Sequence, residues 1–167
     1  MSHRGRVVGM IVLAGVSAGL AGCETSGVFS SNNAAPAAVP GPVPSIPPGI
    51  AAQEIVGRWG YAAYHKPEDR NRTEAAARAQ CRQPVIISAG PSGGVMMYPA
   101  DSNKLEELRV KGAPGGKTFI GPGSEAGGMQ DREVTGFDGR VMTMRFVDPE
   151  VSGRYGTGIY VRCAPRA

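Results

Sequence analysis

From Val85 onward the chain is a run of short apolar-alternating segments, each cut off by glycine or proline. The segments are Val85–Ala89, Gly94–Tyr98, Leu105–Lys111, Lys117–Ile120, Arg132–Phe137, Arg140–Val147 and Thr157–Cys163. Between them lie Gly90-Pro91-Ser92-Gly93, Pro114-Gly115-Gly116, Gly121-Pro122-Gly123 and Gly127-Gly128. Segments of this length, with this alternation, read as strands. Each can bury only one side, because successive side chains of a strand point to opposite faces. Met142, Met144 and Phe146 alternate with Thr143 and Arg145, and Ile159, Val161 and Cys163 with Tyr160 and Arg162. Asp138-Gly139 between two such runs is the strongest hairpin signal in the chain.

An earlier strand is expected over Ile55–Tyr64, with Ile55, Gly57, Trp59, Tyr61 and Ala63 on one face. One helix is expected over Pro67–Cys81. Thr73 to Gln80 is rich in Ala, Glu and Arg, and Pro84 blocks continuation. The small alanine face suits close packing on a sheet or barrel end. The expected fold class is therefore mainly β: a small antiparallel barrel of about eight strands with one helix after the first strand.

The N-terminal part has a different composition. His3, Arg4 and Arg6 precede an apolar run from Val7 to Gly19, which is short for a bilayer span. The run ends in Leu20-Ala21-Gly22-Cys23, which resembles a bacterial lipobox. That resemblance implies a diacylglyceryl thioether on Cys23, cleavage before it, and an acylated mature N-terminus. Residues 1–22 are then a lipoprotein signal peptide, and residues 23–53 a lipidated cysteine followed by a Pro/Ala-rich tether. Tethers of this composition bury too little apolar surface to fold alone. The folded domain is expected over 54–165. Glu24 follows the lipid, where Asp is the inner-membrane retention signal of enteric relatives. An outer-membrane location with the domain facing the periplasm is therefore expected.

Export constrains the remaining cysteines. Cys81 and Cys163 have one intramolecular pairing, which an oxidising periplasm favours over two buried thiols. Closing so long a loop contributes roughly 4 kcal/mol in the chain-entropy model.

Charge and motifs narrow the function. Without Arg4 and Arg6, the 18 basic side chains become 16, against 14 acidic. Such a balance, with no basic block, gives no support for nucleic-acid binding. His65 is the only histidine outside the signal, too few for most metal or triad architectures. No HExxH, CxxC, GxSxG or GxxxxGK[ST] pattern occurs, so no enzyme, metal or cofactor is expected. Asp69, Glu74, Glu106, Glu107, Asp131 and Glu133 lie in polar runs and read as solvated. Met96, Met97, Met142 and Met144 read first as core and second as the lining of a soft apolar cavity. The glycine-rich stretch from Gly112 to Gly128 reads as turns, or as a loop that faces a partner.

Gly57-Arg58-Trp59 on the first strand and Arg162 on the last are similar to the calycin signature. The resemblance implies that Trp59 plugs one end of a lipocalin-like barrel and that Arg162 packs across it. Lipobox, tether and Gly-x-Trp domain together resemble small outer-membrane lipoproteins of alphaproteobacteria, some similar to Inh-type protease inhibitors. Two features depart from that inhibitor type: a helix between the first two strands, and a cysteine pair that reaches the last strand. The first functional expectation is a non-enzymatic structural or binding module, held to the membrane by its lipid, with an envelope protein or cell-wall partner. An Inh-like inhibitor of a periplasmic protease and a carrier of a small apolar ligand are the alternatives.

The lipid anchor has a direct test. Cys23→Ala removes the acyl acceptor, so metabolic labelling with a fatty-acid analogue should fail and precursor or a soluble form should accumulate. Membrane recovery at the parental level, with the same mature N-terminus, contradicts the anchor.

Overall fold

The computed structural model describes residues 45–164; the lipobox, Cys23 and the first part of the tether lie outside this range. Eight antiparallel strands form a closed barrel in simple sequence order. They are β1 (Gly57–Tyr64), β2 (Val85–Ala89), β3 (Val95–Met97), β4 (Glu106–Ala113), β5 (Lys117–Gly121), β6 (Arg132–Phe137), β7 (Val141–Phe146) and β8 (Thr157–Arg162). β1 closes the ring against β8, with Trp59 opposite Arg162, Tyr61 opposite Tyr160 and Ala63 opposite Gly158. Among the described residues no helix is long and apolar enough to cross a membrane.

Three short helices accompany the strands: α1 (Ala52–Ile55), α2 (Arg70–Ala79) and α3 (Pro149–Tyr155). α2 is the helix expected after the first strand. α1 and α3 are additional. Ile55 therefore lies in a helical turn and not on β1; Ala51 N donates to Glu54 Oε2 at 2.8 Å across that turn. α3 is capped by Asp148, whose Oδ1 accepts from the amides of Glu150 and Val151 at 2.8 and 3.1 Å, and Pro149 takes the first helical position. Asp-Pro-Glu is a recognisable helix start.

Alternation along the strands divides the apolar residues between two clusters. Trp59, Ile87, Val95, Met97, Leu108, Ile120, Met142, Met144 and Tyr160 fill the barrel together with Ile55. Ile159 and Val161 point outward and are covered by Ala77 of α2. The helix approaches so closely at Gly60 that a Cβ there would overlap the carbonyl oxygen of Ala77. Its end is held by Cys81, whose sulfur lies 2.01 Å from that of Cys163, at disulfide-bond distance.

The domain's contacts begin ahead of Glu54. Gly49 N donates to Thr118 Oγ1 at 3.1 Å. Ile50 and Ala52 pack against the barrel core, and Gly112 lacks a Cβ where the carbonyls of Ile46 and Pro47 cross β4. Composition places these residues in the tether; tertiary contacts hold them on the barrel.

Gly60→Ala should lower stability by about 1–3 kcal/mol, because the obstructing atom is backbone and cannot rotate away. Chemical denaturation measures this, and adding Ala77→Gly should restore nothing. Rescue by that second substitution contradicts the carbonyl as the obstacle.

Candidate functional site

One end of the barrel is sealed from the residues upward. Trp59 is completely buried, and its Nε1 donates to Ile55 O at 2.8 Å, so its one polar group is satisfied inside the plug. The Arg162 guanidinium lies 4.2 Å from the Trp59 ring centroid. Its Nε donates to Gly139 O at 2.7 Å, its Nη1 to Val56 O at 3.1 Å, and its Nη2 to Glu54 O. One planar cation thus ties the last strand to the β6–β7 turn and to the chain entering β1. Gly57 makes room for it. A Cβ at that position would lie 2.6 Å from Arg162 Nη1, and φ there is 153°. The structure brings together Gly57, Trp59 and Arg162, and separately Cys81 and Cys163. Leu20, Ala21, Gly22 and Cys23 lie outside the described residues.

The opposite end is open. A cleft of about 690 Å³ is lined by Tyr61, Met97, Arg132, Met144, Phe146 and Tyr160, with Ile86, Tyr98 and Tyr155 at its rim. Register explains the gathering. Tyr61 pairs with Tyr160, and Arg132 with Phe146, at the end of the barrel away from Trp59. Gly158 leaves space inside β8, since a Cβ there would stand 2.9 Å from the Tyr61 ring. The Tyr61 and Tyr160 rings therefore pack 4.8 Å apart in a tilted pair. Ile86 and Tyr98 are 54% and 53% exposed, an unusual placement for side chains of this size. Met97 and Met144 belong to the core and line the cleft as well, whereas Met142 belongs to the core alone and Met96 to neither.

Arg132 is the buried charged group of this cleft, and sequence reasoning missed it. It is 9% exposed, its guanidinium lies 4.7 Å from the Phe146 centroid, and its Nη2 donates to Tyr98 O at 2.5 Å. Burial pushes the Tyr160 phenol up to about 12 against the opposing pull of Arg132, and burial raises Tyr61 as well. Both hydroxyls are neutral donors at neutral pH. Asp101 stands at the rim. It accepts from Tyr155 Oη and from Arg154 Nη1, the latter at 3.0 Å, so its charge is matched and the rim loop is tied to α3.

Two acids read as solvated have structural roles. Asp131 is buried, a correction to the expectation of a solvated face. Its Oδ1 accepts from Lys111 Nζ at 2.6 Å, and its Oδ2 from the amides of Gly127 and Gly128 at 2.9 and 3.1 Å. The same lysine donates to Pro122 O at 3.0 Å, so the pair fastens the glycine-rich β5–β6 loop at both ends. Polar runs conceal such a pair, because the partners are far apart in sequence. Glu107 Oε1 accepts from Gly94 N at 2.9 Å and Ser92 N at 2.8 Å, which hold its carboxyl below the usual range.

Among the described residues, no group of three or more His, Cys, Asp or Glu side chains could hold a metal. A closed eight-stranded antiparallel barrel of this kind is compatible with a calycin-like fold. Comparison with known proteins finds no protein family, curated protein or solved structure that matches the chain.

Arg162→Ala should cost about 2–4 kcal/mol, from the lost cation–π contact and charge-assisted hydrogen bonds. Arg162→Lys should recover less than half, since a point charge cannot reach three carbonyls and cover the Trp59 face together. Thermal denaturation checks both, and full recovery by lysine contradicts the planar-fork account.

Proposed function

We propose that this chain is a lipid-anchored outer-membrane protein whose barrel is a non-enzymatic binding module facing the periplasm. The observation that carries the reading is the asymmetry of the barrel. One end is plugged by buried side chains, and the other presents a cleft rimmed by exposed Ile86, Tyr98 and Tyr155. Aromatic residues with a buried arginine are the composition of binding hot spots. The lipobox ending in Cys23 supports membrane attachment, and the proline-rich segment after it supports reach away from the surface.

The protease-inhibitor reading has less support. It needs the residues just before Glu54 to enter a protease cleft, yet Ile46 to Ile50 are engaged with β4, β5 and the barrel core. The carrier reading is favoured by a specific observation, the cleft beside Met97 and Met144.

Photo-crosslinking in the native envelope tests the binding module. A photoreactive residue at Ile86 or Tyr98 should capture a discrete envelope component, while one at Arg72 on the outer helix should not. Equal capture from all three positions, or capture from Arg72 alone, removes the open end of the barrel as the binding surface.

A further inference from the structure

Among the described residues, no carboxylate pairs with the charge of Arg132, although its side chain is almost entirely enclosed. One backbone carbonyl accepts from Nη2, and the Phe146 ring faces the cation. Nε and Nη1 have no hydrogen-bond partner among the described residues. Yet no side-chain nitrogen or oxygen in that range is both sealed from solvent and unpartnered. These nitrogens therefore reach solvent, and the space beside Arg132 is the cleft. The same reasoning applies to the Tyr160 hydroxyl, whose residue is 8% exposed. The cleft thus offers a guanidinium with spare donors and two phenolic hydroxyls, set among Met97, Met144 and Phe146.

That combination selects a ligand class. An enclosed cation without a counter-ion is costly, and an incoming anion removes the cost. A planar fork suits a carboxylate. One cation matches one negative charge, since Asp101 and Arg154 already match each other. Long chains are disfavoured. Trp59, Ile87, Leu108 and Met142 fill the barrel beyond the cleft, so a ligand cannot run along its axis. From this arrangement we infer that the open end of the barrel is a binding site for a small monocarboxylate with a compact apolar or aromatic body. Its carboxylate meets Arg132 and the Tyr61 and Tyr160 hydroxyls, and its body lies against Met97, Met144 and Phe146. The inference rests on the barrel's being a binding module, and specifies what its cleft takes.

The test uses the mature acylated chain in lipid nanodiscs, with empty nanodiscs as the blank. The probes are 4-phenylbutyrate and its uncharged amide, titrated by ligand-observed NMR. The parental protein should bind the acid about tenfold or more tightly than the amide. Arg132→Gln should abolish that preference and leave amide binding within about twofold. Arg132→Lys keeps the charge and should retain part of the preference if the glutamine variant does not fold. Tyr61→Phe, at a half-exposed position, should reduce acid binding alone. Equal binding of acid and amide by the parental protein overturns the proposal, as does an undiminished preference in Arg132→Gln. If neither probe binds while crosslinks from Ile86 persist, the carboxylate site falls and the binding module stands. If both are absent, the two readings fall together.

Discussion

The stack of Arg162 on Trp59 is the contact on which the barrel's closure depends. A ring of strands closes only if the last pairs with the first, and those strands are the most distant in sequence. β1 and β8 are joined by backbone hydrogen bonds, but the end of the ring would stay wet without a plug. Trp59 supplies the volume and Arg162 covers it, spending its donors on carbonyls of Gly139, Val56 and Glu54. The first of those carbonyls belongs to the β6–β7 turn and the other two to the chain entering β1. Gly57 is the geometric condition for the stack, because any side chain there would meet the guanidinium.

Sealing one end sets what the other can be. Inward positions near the plug carry Trp59, Ile87, Leu108 and Met142 and leave no space. Inward positions at the far end carry Gly158, Tyr61, Tyr160 and Arg132, a mixture of small and polar-tipped residues that does not pack to closure. The cleft follows from that gradient of side-chain type along the barrel. Two arginines at inward positions, Arg162 and Arg132, illustrate the contrast. Arg162 uses its whole fork on backbone carbonyls and closes a core. Arg132 uses part of its fork and leaves the rest facing solvent.

The scaffold around this barrel is held by contacts between residues remote in sequence. Lys111 and Asp131 fasten the β5–β6 loop from inside, where a broken pair would leave an uncompensated buried charge. Cys81 and Cys163 join the end of the helical excursion to the end of β8. The segment from Ile46 to Ile50 crosses β4 at Gly112 and β5 at Thr118. A proline-rich stretch reads as a spacer because it has little to bury alone. Against an existing barrel, Ile50 has an apolar surface to join.

Period-two alternation and glycine–proline turns were enough to specify eight antiparallel strands in order, since a short amphipathic run has few other ways to bury one face. The position of the helix followed from the alanine-rich run and Pro84. Gly57, Trp59 and Arg162 were singled out by their similarity to the calycin signature, to which their places on the first and last strands added weight. Alternation alone does not say which face is inward when both faces are covered. β8 shows this: Ile159 and Val161 face α2 outside, while Tyr160 and Arg162 point in. Arg132 and Asp131, adjacent in sequence, go to opposite sides of one strand's start, one to the cleft and one to a buried ion pair. Nothing local distinguishes them. Their environments are set by partners brought from far along the chain, so only the closed barrel decides that one carboxylate is matched and one guanidinium is left facing solvent.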